Sequence, residues 1–370
     1  MKYTTFVGFD VHDENIVVAT IHRDAPEAEV LCTIPNNPDA IRKLIKKLGD
    51  PKKFKVCYEA GPCGYVIYRQ LTQMRIACMV VAPSLVPTKP GERIKTDKRD
   101  AKKLAKSLRN NDLTPVWVPD EKQEALRDLL RAREEAGKDS SRKRKQLSSF
   151  LMRLGIRPPG EMKRWTMRYF QWLKTIKFEE IPRQVVITEY IYAVEQAQEK
   201  INRYDRAIEE AAVQITNQKL FKALQALKGI GLLTAATLIA EIGDISRFKT
   251  APQLMCFLGL IPGEHSSGPT RRQGGITKAG NTHVRFLVIE SSQHYRLNPR
   301  VGPELKKRQE GVSEEIKAIA WKAQHRLHHK YRKMVIRGKS KQKAIVAVGR
   351  ELLGFIWAIA RQVAKENAVA

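Results

Sequence analysis

The segment TTFVGFDVHDENIVVATIH, Thr4–His22, decides the fold of the first third of the chain. Thr4–Phe9 is rich in β-forming residues and ends at Asp10, and Ile16–His22 is a second apolar run of the same kind. The residues between the two runs are mostly polar and of the types found in turns. This pattern predicts a β-hairpin with an aspartate at the end of its first strand.

The next segments alternate between strand-like and helix-like patterns. Predicted strands are Glu29–Ile34, Phe54–Glu59 and Ile76–Ala82, and predicted helices are AIRKLIKKL after a capping Asp39, Gly64–Met74 and the segment that begins at Thr96. A hairpin, a third strand, a helix, a strand, a helix, a strand and a final helix is the order of an RNase H-like fold, in which the first and fourth strands are neighbours. The sequence therefore predicts an α/β domain of RNase H-like, or RuvC-like, type over residues 1–118.

Four carboxylates occupy the ends of these elements. Asp10 and Glu59 end the first and fourth strands, and Asp97 and Asp100 share one face of the helix that follows Thr96. Carboxylate oxygens are the ligands that Mg²⁺ or Mn²⁺ prefers, and a pair of such ions can clamp a phosphate for in-line displacement.

Each acid also has a simpler interpretation. Asp10 opens a turn, Glu59 begins a loop, Asp97 complements the helix dipole, and Asp100 is a solvated partner of a nearby cation. Taken one at a time, these interpretations are the stronger ones. The order of the four acids and their placement on the predicted elements favour a metal site instead.

The chain carries a large positive charge. Its 67 Lys and Arg residues against 39 Asp and Glu residues give a net charge of +28. Such a surplus favours a polyanionic partner, above all nucleic acid, over the alternative of a merely soluble protein. The five scattered cysteines form no CxxC pair, and no signal peptide or membrane span is visible, so we expect a cytoplasmic protein.

Residues 120–150 and 185–215 are charged, helical in pattern and poor in glycine and proline. Apolar residues recur in both at helical spacing, with Ile191, Val194 and Ile201 in the second. Two long helices that pack as an antiparallel or an intermolecular coiled coil would bury both stripes. We assign residues 119–215 to a coiled-coil and linker region, and residues 216–370 to a mainly helical C-terminal domain.

Three aromatic residues lie between the two helical segments. Trp165, Tyr169 and Trp172 follow one another at i, i+4 and i+7. This spacing favours packing in a core over stacking on nucleic-acid bases.

Two glycine-containing motifs mark the C-terminal part. In LKGIG, Lys228, Gly229 and Gly231 precede an apolar helix, and the motif predicts either a contact to a DNA backbone or a tight turn between packed helices. GLIPGEHSSGPTRRQGGITKAGN, Gly259–Asn281, is a polar loop with two serines, and its cations would bind phosphates. The cations in question are Arg271, Arg272 and Lys278. Serine and glycine alone indicate no more than a loop.

At these motifs the chain resembles the DEDD insertion-sequence transposases of the IS one-ten group, which include the Piv invertases. The resemblance covers nearly the whole length. It is carried by VGFDVHDENIVVA, CYEAGPCGY, IKTDKRDAKKLA, LKGIGLLTAATLIAEIGDISRF, QLMCFLGLIPGEHSSG and GGITKAGNTHVR, in this order.

The resemblance implies a set of catalytic residues. Asp10, Glu59, Asp97 and Asp100 match the family's metal-holding acids in a RuvC-like domain, and Ser267 matches its nucleophilic serine. The neighbouring Ser266 leaves the choice of serine open. The family also implies a coiled coil that leads to a C-terminal transposase domain, and oligomers in which acids and serine come from different protomers. Many members use a structured guide RNA.

We therefore expect a DNA transposase or recombinase that cleaves and rejoins DNA with a metal and a serine. Its expected partners are donor and target DNA, a structured guide RNA, and further copies of itself as a dimer or tetramer, without a membrane. The expected location is the cytoplasm of a bacterium or archaeon, in association with the nucleoid. The alternatives are a RuvC-like Holliday-junction nuclease that activates water, with Ser267 only positioning phosphate, and a non-enzymatic nucleic-acid-binding protein.

Overall fold

The chain folds as two units, Met1–Val118 and Pro119–Ala370. The computed structural model describes residues 3–87, 96–215, 217–264, 266–268, 270 and 272–369. None of the helices in these ranges is long and apolar enough to cross a membrane.

The first unit is built on a five-stranded sheet. Its strands are β1 (Thr5–Val11), β2 (Asn15–His22), β3 (Glu29–Pro35), β4 (Phe54–Glu59) and β5 (Ala77–Val81), and its helices are α1 (Pro38–Leu48), α2 (Val66–Gln73) and α3 (Asp97–Asn110). The strand order is β3-β2-β1-β4-β5. β1, β2 and β3 are antiparallel neighbours, whereas β4 runs parallel to both β1 and β5. The predicted hairpin and the adjacency of the first and fourth strands are confirmed.

The two faces of the sheet have separate cores. Val7 and Phe9 of β1 point to one face, and their core includes buried residues of α1 and α2. Phe6 of β1 points to the other face and shares a core with Leu104 of α3. Because side chains alternate along a strand, Asp10 belongs to the α3 face, as Phe6 does.

The predicted cap of α1 is wrong by two residues. Asn37 is the N-cap, and its side chain accepts a hydrogen bond of 2.9 Å from the Ala40 N–H. Pro38 is the first helical residue, a position that suits proline because its missing N–H is not needed there. Asp39 therefore lies inside the first turn, where it pairs with Arg42.

The second unit is mainly helical. Its helices are α4 (Glu121–Arg153), α5 (Met167–Thr175), α6 (Ile181–Ala212), α7 (Gln218–Gln225), α8 (Leu232–Ile242), α9 (Ala251–Phe257), α10 (Thr282–Ser292), α11 (Pro303–Arg308), α12 (Glu314–Ile336) and α13 (Lys341–Val369). The short strands β6 (Pro262–Glu264) and β7 (Gln273–Ile276) pair antiparallel between α9 and α10.

The two long helices α4 and α6 pack against each other within the chain. Arg133 pairs with Asp205 at 2.8 Å, and Arg144 donates to Gln198 at 2.7 Å. Residue numbers therefore increase along α4 in the direction in which they decrease along α6. Of the two arrangements that the sequence left open, antiparallel within the chain or between chains, this is the antiparallel one. Val194 is fully buried in the cluster that both helices share.

Residues of α5 and its flanks contribute to the same cluster. Tyr169 is only 1% exposed, and the rings of Trp165 and Trp172 both lie 5.3 Å from its ring. The core-packing interpretation is confirmed for Tyr169, whereas Trp165 and Trp172 are half-buried and pack against that core.

Candidate metal centre and serine loop

The position of α3 on the sheet depends on a glycine in β1. A Cβ atom on Gly8 would lie 2.4 Å from the carbonyl oxygen of Ala101 and 2.6 Å from the backbone nitrogen of Ala105. Only a residue without a side chain allows such an approach. Thr96 caps the helix by accepting a hydrogen bond from the Arg99 N–H, so the helix begins at Asp97, one residue after the predicted start.

Three side chains meet where β1 ends and α3 begins. His12 Nε2 lies 3.2 Å from Asp10 Oδ2 and 3.5 Å from Asp97 Oδ2. One ligand atom from each residue lies within 4.8 Å of the others. Two carboxylates and an imidazole suit a divalent cation such as Mg²⁺ or, because of the nitrogen, Mn²⁺.

Sequence reasoning missed His12. Its only signal was its position two residues after Asp10, which in an extended chain puts both side chains on the same side. A histidine in the polar segment HDEN is explained by a turn alone, so nothing in the sequence assigned it a metal-binding role.

Electrostatics at this edge disfavours a charged Asp10. Burial is the main cause that raises the pKa of the Asp10 carboxyl, and the negative charges of Asp100 and Asp97 raise it further. His12 acts in the opposite direction, through its charge and its hydrogen bond, without cancelling the effect. A bound cation would favour the ionised form and so relieve this cost.

The other two predicted acids lie close by in the fold. Glu59 is the last residue of β4, and the register places it one step beyond the Phe9–Tyr58 pair, at the same edge as Asp10. Asp100 lies one helical turn after Asp97. Neither is part of the three-residue group within 4.8 Å. The structure thus joins Asp10, Asp97 and His12, whereas Glu59 and Asp100 lie outside that group, on the strand next to β1 and one turn further along α3.

The two serines occupy different settings between β6 and β7. The Ser266 hydroxyl donates to Glu264 Oε1 at 2.9 Å and accepts from the Arg272 N–H at 3.2 Å. Ser267 is exposed, and its carbonyl accepts from the Thr270 N–H at 3.3 Å. Its neighbours His265 and Arg271 lie outside the described residues. Both serines are exposed, and the Ser266 hydroxyl also makes hydrogen bonds that shape the loop.

The stretch after β7 is held tightly against α9. A Cβ atom on Gly280 would lie 1.9 Å from the carbonyl oxygen of Phe257, and one on Gly259 would lie 2.2 Å from that of Ala279. Lys278, whose φ is +57°, donates its N–H to Gly259 at 3.1 Å. Its side chain is exposed, as is that of Arg272. Both cations are therefore accessible to a ligand.

The LKGIG motif forms a tight turn between α7 and α8. Gly229 has a φ of +84°, and a Cβ atom there would lie 2.6 Å from the carbonyl oxygen of Ser291. Gly231 is the N-cap of α8. Lys228 Nζ donates to the carbonyl of Asn298 at 2.9 Å, and burial lowers its pKa. Packing alone thus accounts for Gly229, and a contact to DNA stays a prediction.

Two family models match the chain. Residues 7–156 match a model of DEDD transposases of the IS110 type, described as Transposase. Residues 221–307 match a model described as Transposase IS116/IS110/IS902 family. The first match spans Asp10, Glu59, Asp97 and Asp100, and the second spans Ser267.

Similar proteins support both matches. The y4qE protein of Sinorhizobium fredii, named as a transposase, is 42% identical over 362 residues, which are 96% of this chain and 88% of that protein. The transposase for insertion sequence element IS1533 of Leptospira borgpetersenii is 30% identical over 90% of this chain and 97% of its own length. The transposase for IS1111A of Coxiella burnetii is 29% identical over 61% of each chain. The chain belongs to the IS110 family of insertion-sequence transposases.

Proposed function

We propose that this transposase cuts and rejoins DNA with Asp10, Glu59, Asp97 and Asp100 as its metal-holding acids and Ser267 as its nucleophile. The observation that carries the proposal is the meeting of Asp10, His12 and Asp97 at the start of α3. Family membership implies the cleaving and joining of DNA.

We assign the first unit to the RNase H-like, or RuvC-like, fold. Three antiparallel strands followed by two parallel ones, in the order β3-β2-β1-β4-β5, support this assignment. The proposed organisation is a catalytic domain over residues 1–118, a coiled-coil and linker region over residues 119–215, and a transposase domain over residues 216–370.

The donor set fits Mg²⁺ or Mn²⁺. Asp10 and Asp97 would hold the ion directly, His12 would add a nitrogen ligand, and Glu59 and Asp100 would complete the surroundings. When bound, such an ion supplies charge neutralisation at a phosphate and a lower pKa for a coordinated hydroxyl. The raised pKa of Asp10 supports this assignment because it indicates a carboxylate that lacks a sufficient positive partner.

Ser267 would carry the covalent step. Its Oγ attacks a DNA phosphorus, an Oγ–P ester forms, and one strand P–O bond breaks, while the hydroxyl proton passes to the departing oxygen. In the reverse reaction, which rejoins the DNA, a strand hydroxyl attacks the phosphorus of the serine ester and the serine regains its proton. The number of phosphoester bonds is unchanged, so no external energy source is needed.

Cations of the second unit would hold the nucleic acid. Arg271, Arg272 and Lys278 surround the serine loop in sequence, and Lys228, Gly229 and Gly231 form the turn before α8. Because the chain has a net charge of +28, we expect contacts to donor and target DNA and to a structured guide RNA.

We further propose a homo-oligomer, a dimer or a tetramer, whose active sites combine two protomers. The acids belong to the first unit and the serine to the second. One protomer's acids and another's serine can therefore form a site that exists only in the assembled complex.

The decisive experiment is a search for a protein–DNA adduct that resists denaturant. The complete protein is incubated with Mg²⁺ or Mn²⁺ and a DNA fragment that carries an end of its insertion sequence. The adduct is then mapped by peptide mass spectrometry. An adduct at Ser267 that requires the metal supports the proposal. Cleavage without any adduct would favour a nuclease that activates water, and binding without cleavage would favour a non-enzymatic protein.

A further inference from the structure

A cleft of about 810 Å³ lies where α4 ends and the chain turns toward α5. Its lining includes four cations and two aromatic residues, namely Arg144, Lys145, Arg157, Arg164, Trp165 and Tyr169. Among the described residues that line it, no side chain is acidic. The cleft therefore favours an anionic ligand, and its volume lies in the range of small-molecule sites.

One of these cations has an unused donor. Arg144 Nη2 donates to Gln198 Oε1 at 2.7 Å, but its buried Nε meets no hydrogen-bond acceptor within the described parts of the chain. A buried guanidinium N–H without a partner costs free energy.

The wall of the cleft presents a fixed aromatic ring. Trp165 adopts a φ of +64°, a left-handed conformation that is strained for a bulky side chain. Its ring packs edge-on against Tyr169 at 5.3 Å, and the Arg144 guanidinium lies over it at 5.3 Å. Trp165 is only half-buried. The Arg144 guanidinium thus lies on one face of the ring, and the half-buried remainder of the ring stands beside several cations.

We propose that this cleft binds one nucleotide of a single-stranded nucleic acid. The base stacks on the exposed part of the Trp165 ring, beside Arg144, and the phosphate lies near Arg157 and Arg164. Unpaired bases expose their faces for such stacking, whereas paired bases do not. This site involves neither the acids nor the serine loop, so it adds a nucleic-acid contact beyond the proposed function.

Matched variants of the complete chain test the site. Arg157→Gln with Arg164→Gln removes two cleft cations, and Arg168→Gln with Arg183→Gln removes two exposed cations that do not line the cleft. Affinity is measured by fluorescence anisotropy with labelled oligouridine, oligothymidine and a blunt DNA duplex. We expect the cleft pair to lose about tenfold in single-strand affinity, more than the control pair, with equal small losses on the duplex.

A third variant removes the ring with a residue that accepts the positive φ at this position. Glycine adopts positive φ freely, so Trp165→Gly keeps the turn and should also lose about tenfold in single-strand affinity. Crosslinking with bromouridine- or bromodeoxyuridine-substituted strands, followed by mass spectrometry, should label a peptide that contains Trp165 or Tyr169. The strand that binds more tightly shows whether RNA or DNA is the source.

Three results would overturn the proposal. Equal losses in the cleft and control pairs would mean that only overall charge matters. A crosslink outside the cleft would place the strand elsewhere. A changed oligomeric mass in the cleft variants, with unchanged strand affinity, would show that the cleft is a contact between copies.

Discussion

Gly8 of β1 lies directly under Ala101 of α3, so close that a methyl group on Gly8 would come within 2.4 Å of the Ala101 carbonyl oxygen. This contact fixes the distance between the strand that carries Asp10 and the helix turn that carries Asp97. The metal centre therefore depends on a residue that has no side chain.

Gly8→Ala should push α3 away from the sheet. We expect a loss of about 1–3 kcal/mol in the free energy of unfolding, because overpacking a close contact forces the backbone to shift. Mn²⁺ affinity, measured by isothermal titration on the folded variant, should fall as Asp97 moves from Asp10. Gly61→Ala is the control, since its new Cβ would meet no atom closer than 4.0 Å. Unchanged Mn²⁺ affinity in Gly8→Ala would show that the metal site does not depend on the close contact between Gly8 and α3.

Asp10→Asn should stabilise the metal-free protein at neutral pH. The folded state binds the Asp10 proton more tightly than the unfolded state, so stability falls as pH rises from the ordinary aspartate pKa through the raised one. Asparagine removes that loss. Thermal unfolding in a chelator should therefore give a higher Tm for the variant at pH 7 and equal values below about pH 3.5.

Added metal should reverse this ranking. Mg²⁺ or Mn²⁺ should raise the Tm of the unaltered protein and leave that of Asp10→Asn almost unchanged, since a ligand stabilises only the state that binds it. DNA cleavage should be lost in the variant while DNA binding is retained. Equal metal-dependent shifts in both proteins would place the ion elsewhere.

Much of the first unit could be predicted from the sequence because its strands are bounded by clear turns. Phe54–Glu59 forms a strand with the predicted ends, and its position next to β1 follows from the order of elements. The cap of α1 could not be predicted as easily, because Asn37 and Asp39 are both good N-caps and Pro38 decides between them.

The site was less predictable, because contacts between distant segments do not show in residue patterns. His12 joins Asp10 and Asp97 through folding, and the sequence showed only a polar turn around it. The apolar stripes of α4 and α6 were visible, but whether they meet within one chain or between two depends on the loop between them. Burial of Ile191, Val194 and Ile201 within the chain removes the reason to expect these stripes to drive association.

Glu241→Gln should destabilise the second unit. The fully buried Glu241 carboxylate accepts from Arg131 at 2.7 and 2.9 Å and from Asn281 at 2.6 Å. Burial would raise its pKa, but Arg131 and Arg127 outweigh burial and lower it. Removing the charge takes the carboxylate away from the buried Arg127 and the half-exposed Arg131, at a cost of about 3 kcal/mol in denaturant unfolding at pH 7.

The stability difference between the unaltered protein and Glu241→Gln should depend on pH. Because the folded pKa of Glu241 is lowered, its contribution is complete above the ordinary glutamate value of about 4.3 and is lost as pH falls through the folded pKa. The gap between the two proteins should therefore close in acid. Glu351→Gln, which removes a more exposed ion pair with Arg326 and Lys330, should cost about 1 kcal/mol or less. Equal costs for both variants would contradict the role of burial.

Ser267→Ala should abolish the denaturant-resistant DNA adduct while leaving metal and DNA binding intact. Ser266→Ala should keep the adduct in reduced yield, because it removes only the hydrogen bonds to Glu264 and the Arg272 N–H that shape the loop. If Ser266→Ala loses the adduct and Ser267→Ala keeps it, the nucleophile is Ser266. If both keep full cleavage, a water-activating site replaces the serine.

Mixing two inactive proteins tests whether the site spans protomers. Ser267→Ala keeps its acids and Asp10→Asn keeps its serine, so a mixed oligomer can combine one intact set from each. If acids and serine come from different chains, a mixture that has exchanged subunits should regain part of the cleavage activity. For a dimer mixed in equal amounts the recovery should be about a quarter, because about half of the dimers are mixed and each mixed dimer has one intact site of two. A protein with both substitutions, mixed with either single variant, is the control and should stay inactive. No recovery after exchange, verified by the mass of mixed tagged oligomers, would place the complete site within one chain.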